Sequence, residues 1–358
     1  MIDGIKIWAL LFDFQNWKAR TGIAFTLPMD EDAGVFIGRK HKNNPNIITY
    51  THTGSFETYK LTVKETVYYK DGARVKQTYN LLIEGSLHKN YYGGSNYRRF
   101  TFYHLQAEIK KLCSGIHLQP GQCKIQNLEI GVNVKTTFPV KEYIDASLLL
   151  HSTKPFVEYD PDDTGFILGR LAKHAQHSVK CYDKGMQNKL NYELMRIEDR
   201  CIKMQYLSKF GIKTLQDLTN YNKVAPMGNL LLSVWDDVLV QEPDIDIEKL
   251  DVTAKQKKLL NDGQYRDFWT GLLKKDRKRF DKQRPKFRGL MAANSSMNTY
   301  RLIRGLIKDE WATLIKKETN LPGVKTYTVT PKTGGDIFTV RVKGKNVPLQ
   351  YYNEYVYY

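Results

Sequence analysis

One short segment decides how the chain is interpreted: Val179-Lys180-Cys181-Tyr182-Asp183-Lys184-Gly185. Side chains alternate between the two faces of a β-strand, so Lys180, Tyr182 and Lys184 would share one face here. Residues 183–185 have the composition of a turn, which indicates that the strand ends there. The pattern therefore predicts a tyrosine hydroxyl held between two ammonium groups at the end of a strand.

Three other segments alternate in the same way, with apolar side chains on one side and a few polar ones on the other. The polar side would carry Glu129 and Asn133 in residues 127–134, Arg196 and Glu198 in residues 192–198, and Glu84 and His88 in residues 81–88. A sheet with one buried and one polar face would bring these residues next to Tyr182. Taken singly, each is also compatible with an ordinary solvated strand, and Glu198 beside Arg196 with a surface ion pair.

These side chains would suit a metal-assisted reaction at a phosphodiester. Glu129, Glu198 and Asn133 offer only oxygen ligands, which suit Mg²⁺ or Mn²⁺ rather than zinc. A tyrosine, with a pKa near ~10, is a weak nucleophile until nearby cations favour its phenolate. Lys180 and Lys184 would supply such cations, and Lys184 would also hold the scissile phosphate.

The chain is strongly basic. Among its 358 residues, 55 Lys and Arg stand against 38 Asp and Glu, which gives a formal net charge of +17. A polyanion is the natural partner, and nucleic acid is favoured over a membrane because no amphipathic lipid-binding segment is present. No apolar run approaches the ~18 residues of a membrane helix. The four cysteines lack metal-binding spacing and indicate free thiols in a reducing cytoplasm. A basic protein that is merely soluble is the alternative.

The chain is long enough for two domains. Residues 1–240 predict an α+β domain with a central antiparallel sheet and helices on one face, including a hairpin that turns at residues 70–73. Residues 241–251 are acidic, contain Pro243 and indicate a linker. Residues 252–358 predict a basic, mainly helical accessory DNA-binding domain with a small hairpin of residues 326–329 and 338–342.

Two basic clusters are candidates for DNA contact. The candidate residues are Lys89, Arg98, Arg99, Lys274, Lys275, Arg277, Lys278, Arg279, Lys282 and Arg284. In the first cluster, Gly93-Gly94-Ser95-Asn96 lies between aromatic residues and would wrap a phosphate or stack a base, or be a plain glycine loop. The second cluster is either a solvated helix face or a DNA contact, and Pro285 should end or kink its helix.

The order of these segments resembles one known family. The segments are Glu84-Gly85-Ser86-Leu87-His88-Lys89 running on to Gly94 and Asn96, then Leu128 to Val134, then Tyr182-Asp183-Lys184-Gly185, and last Met195-Arg196-Ile197-Glu198 through Gly211. The chain resembles the gene II type replication initiators of filamentous phages and the related replication initiation factors of plasmids and conjugative elements. These are distant relatives of the HUH endonucleases. The resemblance covers roughly residues 80–240 and implies an HUH-Rep-like fold there.

Three of the family's motifs match this chain by position. Tyr182 matches the nicking tyrosine of a Tyr-x-Lys pattern. Glu198 matches the acid of an Arg-aromatic-Glu motif, here with Ile197 in the middle place, and Ser86 and Lys89 match a Ser-x-x-Lys.

One strand departs from the family pattern. Where relatives have Arg-Ile-Asp, this chain has Leu128-Glu129-Ile130-Gly131, so Glu129 would be the metal carboxylate, or Asn133 would substitute for it. No His-hydrophobic-His pair is present, so the match to HUH enzymes is by order and role.

The resemblance implies a metal-dependent DNA-nicking endonuclease and strand transferase. Tyr182 would attack origin DNA, form a 5′-phosphotyrosine and free a 3′-OH that primes rolling-circle synthesis; a later transesterification would close the displaced circle. The general base is not identified, with His88 as a candidate. One catalytic tyrosine is favoured over two, although Tyr192 lies on the same predicted face. The partners would be origin DNA, single-stranded or in a hairpin, and a host helicase, in the bacterial cytoplasm.

Two other hypotheses compete with this one. The same scaffold would serve a non-enzymatic, sequence-specific DNA-binding regulator of replication. The high tyrosine content alone would suit a structural β protein of a phage or cell surface.

Overall fold

The computed structural model describes residues 1–30, 35–161, 165–316, 339–342 and 345–348. The strands are, in chain order, β1 (Ile2–Leu11), β2 (Phe25–Thr26), β3 (Met29–Asp30), β4 (Val35–Phe36), β5 (Arg39–His41), β6 (Asn44–Phe56), β7 (Tyr59–Lys70), β8 (Ala73–Ser86), β9 (Lys124–Lys135), β10 (Leu148–His151), β11 (Lys154–Pro155), β12 (Val157–Tyr159), β13 (Gly169–Lys173), β14 (His177–Asp183), β15 (Leu194–Cys201), β16 (Val238–Val240), β17 (Thr339–Val342) and β18 (Lys345–Pro348). The helices are α1 (Phe14–Thr21), α2 (Leu87–Tyr91), α3 (Phe102–Gly115), α4 (Val140–Ser147), α5 (Lys184–Gln187), α6 (Leu215–Leu218), α7 (Tyr221–Val224), α8 (Met227–Asp236), α9 (Ala254–Gly263), α10 (Arg266–Lys275), α11 (Arg277–Asn294) and α12 (Thr299–Leu314). Short 3₁₀ helices cover Pro120–Gln122, Met204–Phe210 and Ile247–Lys249.

Eleven strands form one antiparallel sheet. Ten of them follow the order β12-β13-β14-β15-β9-β1-β8-β7-β6-β2, and β5 also pairs with β6. The first strand, β1, lies in the interior between β8 and β9. A second sheet joins β11, β10 and β16. The predicted α+β class, with a central antiparallel sheet and a helical region near the C-terminus, is confirmed.

The hairpin predicted at residues 70–73 is present. β7 and β8 pair along their length, and the last pair is Lys70 with Ala73. Asp71 and Gly72 both have positive φ angles, 51° and 77°. A two-residue turn of this kind matches the right-handed twist of the strands that it joins.

The main core lies on the apolar face of the sheet. Val132, Val179 and Ile197 are buried there on three adjacent strands, in one cluster with Leu231 of α8 and Ile307 of α12. Burial of side chains of this size stabilises the fold by roughly 1.5–3 kcal/mol each. The helices therefore cover the apolar side of the central strands and leave the polar side for the site.

The helical region has a smaller core of its own. Trp269 of α10 packs with Phe280 and Phe287 of α11, and Leu260 of α9 joins the same cluster. Pro285 lies inside α11, whose helical assignment continues through it to Asn294.

Residues 1–316 form one compact unit, and the division predicted at residues 241–251 stays a prediction. In that segment, Glu242 accepts hydrogen bonds from the backbone N–H groups of Thr299 and Tyr300 at 3.0 and 2.9 Å. The segment is therefore fastened to the start of α12.

A second unit covers residues 317–358, of which β17 and β18 are described. These strands form an antiparallel pair, from Thr339 with Pro348 to Val342 with Lys345. The strand predicted at residues 338–342 is thus largely present, but its partner is the segment that follows it. The predicted partner at residues 326–329 lies outside the described residues. Among the described helices, none combines the length and apolar composition that crossing a bilayer requires.

Candidate active site

The sheet register places the predicted polar residues on one face. Lys180 and Tyr182 of β14 lie opposite Glu198 and Arg196 of β15. Arg196 in turn lies opposite Asn133 of β9. The shared face that alternation predicts for these strands is therefore confirmed, because residues directly opposite one another in antiparallel strands point to the same side.

Lys180, Tyr182 and Glu198 line a cavity of about 380 Å³. Its lining includes Lys89, Glu129, Lys180, Tyr182, Lys184 and Glu198. We call this cavity the tyrosine cavity. It brings together the predicted nucleophile, two of the three predicted metal ligands and one residue of the first basic cluster.

Arg196 forms the centre of the ionic network behind the cavity. It is fully buried, and its guanidinium donates to Asp3 at 2.8 Å, to Glu198 at 3.0 Å and to Asn133 at 3.0 Å. Burial opposes ionisation of Asp3, but the Arg196 guanidinium outweighs it and holds the pKa of that carboxyl well below its usual range. Asp3 also accepts from the Ser86 hydroxyl and from Asn96, the latter at 2.7 Å.

Sequence reasoning missed Asp3. It reaches the site because β1 inserts between β8 and β9, which periodicity within a segment does not reveal. The signal available was a carboxylate in a largely apolar strand, since a buried charge requires a partner. Gly4 follows it, and a side chain at that position would overlap the Glu129 carboxylate.

Lys180 joins the two predicted metal carboxylates. Its ammonium donates to Glu198 at 2.5 Å and to Glu129 at 3.3 Å. Burial works against the charged forms of Lys180 and Glu198, but their attraction raises the pKa of the lysine and, with Arg196, lowers that of Glu198. Burial, followed by the charge of Glu198, raises the pKa of Glu129.

In this arrangement the predicted metal ligands are paired with cationic side chains. Both oxygens of Glu198 and the side-chain oxygen of Asn133 already accept from Lys180 or Arg196. Glu129 shares the Lys180 ammonium and lies 3.5 Å from Arg200. Within the described residues no group of three or more His, Cys, Asp or Glu side chains is placed to hold a metal. The expectation of Mg²⁺ or Mn²⁺ stays a prediction.

Tyr182 is close to Lys184. The Lys184 ammonium lies 5.5 Å from the centre of the Tyr182 ring, whereas the Lys180 ammonium is engaged by the carboxylates. Burial, followed by the charge of Glu198, raises the pKa of Tyr182 well above its ordinary value. The expected preference for phenolate is therefore reversed in this arrangement, because Tyr182 is only 4% exposed.

Lys184 is itself buried at the start of α5. Its ammonium donates to Asn96 at 2.5 Å and to Gln187 at 2.6 Å. Burial, followed by the nearby charge of Arg196, lowers the pKa of Lys184 to about 7. Near neutral pH the residue therefore has both an ammonium form and a neutral amine form.

The candidate general base, His88, and the possible second tyrosine, Tyr192, lie outside the tyrosine cavity. His88 is buried in α2 with its ring stacked on Phe100, at 4.9 Å between centroids, and burial lowers its pKa to about 2. Tyr192 is 39% exposed and has the Lys135 ammonium 4.5 Å from its ring centre. Neither lines the tyrosine cavity. The serine that the family pattern singled out, Ser86, is the N-cap of α2 and accepts from the Lys89 N–H at 2.9 Å.

The second basic cluster divides between two surfaces. Lys274, Lys275, Arg277 and Lys278 are exposed around the junction of α10 and α11. Arg279 and Lys282 line a groove of about 700 Å³ between α9 and α11, together with Lys255 and Lys286. We call this the α9–α11 groove.

Arg284 turns the other way. Its guanidinium donates to the Asp237 carbonyl at 2.7 Å and is largely covered. This contact fastens α11 to the chain just before β16. The sequence did not reveal it, since a basic run does not show which of its members face the protein.

In the first basic cluster, Arg98 and Arg99 are exposed. Arg99 makes a two-pronged ion pair with Glu310 of α12, with both distances 3.0 Å.

Comparisons with known proteins give one distant structural likeness. No protein-family model matches the chain, and no curated protein matches it. Among solved structures, a rolling circle replication initiator protein from Geobacillus stearothermophilus aligns with a TM-score of 0.31 and 11% sequence identity, over 80% of this chain and 96% of that one. At this distance the function has to be argued from the site itself.

Proposed function

We propose that this chain initiates rolling-circle replication by nicking and rejoining origin DNA, with Tyr182 as the nucleophile. The observation that carries the proposal is the tyrosine cavity, where a tyrosine, two buried lysines and two carboxylates converge on one face of the sheet. The order of the sequence motifs supports the same reaction. The formal net charge of +17 suits a polyanionic substrate.

The reaction balances as a transesterification. The Tyr182 hydroxyl oxygen attacks the phosphorus, and the bond from phosphorus to the 3′ oxygen breaks. The phenol proton leaves to a base, and the departing 3′ oxygen takes up a proton to become a 3′-OH. The product is a 5′-phosphotyrosine, and attack on it by a 3′-OH reverses the steps and rejoins the strand.

In this proposal Lys184 acts on the phosphate. As an ammonium it stabilises negative charge that develops on the phosphate oxygens. Lys89, on the rim of the same cavity, contributes a second positive charge to the approach of the strand. Both act by binding and orienting the phosphodiester against the tyrosine.

Divalent-metal dependence is a separate part of the proposal. A bound Mg²⁺ or Mn²⁺ would polarise the phosphodiester. To receive it, Glu129 and Glu198 would have to exchange Lys180 for the ion, so Lys180 must move away from them.

The test is cleavage of a supercoiled plasmid that carries the cognate origin, with and without Mg²⁺ or Mn²⁺. We expect nicking, and a covalent protein–DNA adduct that Tyr182→Phe abolishes. Tyr103→Phe is the matched control, because it removes the hydroxyl of an exposed tyrosine outside the cavity, and it should nick normally. Nicking by Tyr182→Phe would show that another residue is the nucleophile.

A non-enzymatic DNA-binding regulator is the second candidate. Its supporting observation is that Tyr182 is buried and that Lys180 and Arg196 already occupy the carboxylates. Specific origin binding without nicking, unchanged in Tyr182→Phe, would favour this function over the first.

A further inference from the structure

We propose that a second pocket, next to the tyrosine cavity, binds one unpaired base of single-stranded DNA. The inference deepens the proposed function and rests on it for the identity of the strand. The pocket has a volume of about 310 Å³ and lies where β9 ends and β15 begins. Its lining includes His88, Tyr97, Arg98, Asn133, Lys135 and Tyr192, and we call it the Tyr97–Tyr192 pocket.

The pocket and the tyrosine cavity share a wall. Asn96 lines the tyrosine cavity and its neighbour Tyr97 lines the pocket. The Asn133 amide donates to both of their carbonyls at 3.1 Å, and its oxygen accepts from Arg196 at 3.0 Å. A strand whose phosphate lies at Tyr182 can therefore place a neighbouring base in the pocket.

The walls of the pocket combine aromatic rings with cations. The Lys135 ammonium lies 4.5 Å from the centre of the Tyr192 ring, and the Arg98 guanidinium lies 5.9 Å from that of Tyr97. Lys135 and Arg98 are exposed, and within the described residues neither has a carboxylate partner. Sites that bind single strands place bases on aromatic rings and phosphates against such cations. Duplex DNA fits poorly, since its bases must leave the stack to enter a pocket.

His88 supplies polar groups at the inner wall. It is 1% exposed, and neither ring nitrogen has a hydrogen-bond partner in the described part of the chain. A neutral imidazole offers one donor and one acceptor, and leaving such groups unpaired costs roughly 1–3 kcal/mol. The edge of a base carries the matching acceptor and donor. The catalytic scheme gives His88 no role, so base recognition accounts for an otherwise unexplained buried histidine.

The loop that forms the rim is held in shape before any ligand binds. Gly93 and Gly94 have φ angles of 67° and 114°, which favour glycine. The Tyr92 hydroxyl donates to the Arg99 carbonyl at 2.7 Å, and Arg99 is fixed by Glu310. The glycine segment that the sequence left open between a phosphate loop and a plain loop thus directly precedes residues 97–100, which line the pocket.

The experiment separates bases from phosphates. The full chain carrying Tyr182→Phe, which prevents cleavage, is titrated against two fluorescein-labelled single strands: a thymidine dodecamer and an abasic dodecamer with the same phosphates. Adding Tyr192→Ala should weaken binding of the thymidine strand about tenfold, the usual effect of losing one stacked base. Binding of the abasic strand should be unchanged, and Tyr192→Phe should restore binding.

Tyr103→Ala is the matched control, because Tyr103 is similarly exposed, at 48%, but lies outside the pocket. It should leave both affinities unchanged. If Tyr192→Ala loses the same affinity for both strands, or none for either, the proposal that the pocket binds a base is wrong. If binding depends on Tyr192 and the bases but the wild type never nicks its origin, the pocket stands and the nicking proposal falls. If the wild type nicks its origin and Tyr192→Ala binds the thymidine strand normally, the nicking proposal stands and the pocket proposal falls.

Discussion

Arg196 shows why the site is rigid. A guanidinium without exposed surface has to be matched by acceptors, and it has three, in Asp3, Glu198 and Asn133. The sequence predicted two of these on the same face as Arg196. The third comes from a strand far away in the chain, so spacing within a segment could not reveal it.

Replacing Arg196 tests the network. Arg196→Met leaves Asp3 and Glu198 buried without their shared cation, and we expect a loss of about 3–5 kcal/mol in the free energy of unfolding. Arg200→Met is the control, because Arg200 is half exposed and its ion pair with Glu129 is long, at 3.5 Å. Its loss should lower the free energy of unfolding by less than about 1 kcal/mol. Urea denaturation measures both. A similarly small loss of free energy of unfolding in both variants would mean that water or rearrangement compensates for the missing Arg196 guanidinium.

The protonation of Lys184 gives a pH-dependent prediction. Its pKa is lowered from 10.5 to about 7, so between these values the unfolded chain binds the extra proton and the folded chain does not. Stability contributed at this position therefore rises with pH from about 7 towards 10. The free energy of unfolding of the wild type, relative to Lys184→Met, should increase between pH 7 and pH 9. A constant difference would show that Lys184 stays charged when buried.

At the scale of elements, alternation gave the correct faces of β9, β14 and β15. It works there because each strand packs one side on helices and turns the other to the site. For α11 the sequence showed only a basic run, because which of its residues are buried depends on neighbours that the helix meets after folding. Arg284 contacts Asp237, while Arg279 and Lys282 line the α9–α11 groove.

The α9–α11 groove leads to a prediction about salt. Lys282→Gln removes one cation from the groove, so the slope of log K against log salt for duplex DNA should become shallower by about 0.9. Arg20→Gln is the control, with the same change of charge on exposed α1. Fluorescence anisotropy over a range of salt concentrations gives both slopes. Equal changes in the two variants would indicate net charge rather than a specific contact.

At the scale of the molecule, fold class was readable from the sequence, whereas the order of strands was not. The turn at residues 70–73 and the alternating segments indicate an antiparallel sheet. Nothing local indicates that β1 lies between β8 and β9, since that pairing depends on contacts between distant segments.

Two buried histidines, His88 and His151, and the half-buried His174 should govern how the whole molecule responds to acid. Burial lowers the pKa of His88 to about 2, of His151 to about 3 and of His174 to about 4. As the pH falls below about 6.5, these histidines become protonated in the unfolded chain but stay neutral in the folded chain. The free energy of unfolding therefore decreases. Urea denaturation should show a marked loss between pH 7 and pH 5, and His174→Gln should reduce it. An equal loss in that variant would remove His174 from the cause.

The interior position of β1 has a consequence for folding kinetics. Its partners end at residues 86 and 135, so the strand cannot complete both ladders until those distant segments have formed. Pairings across such sequence separations slow folding, because the chain entropy is lost before the contacts form. Asp3 is part of this strand, so it can pair with Arg196 only after β1 has joined the sheet. Refolding followed by tryptophan fluorescence and by DNA binding should therefore show binding competence appearing in the slowest phase.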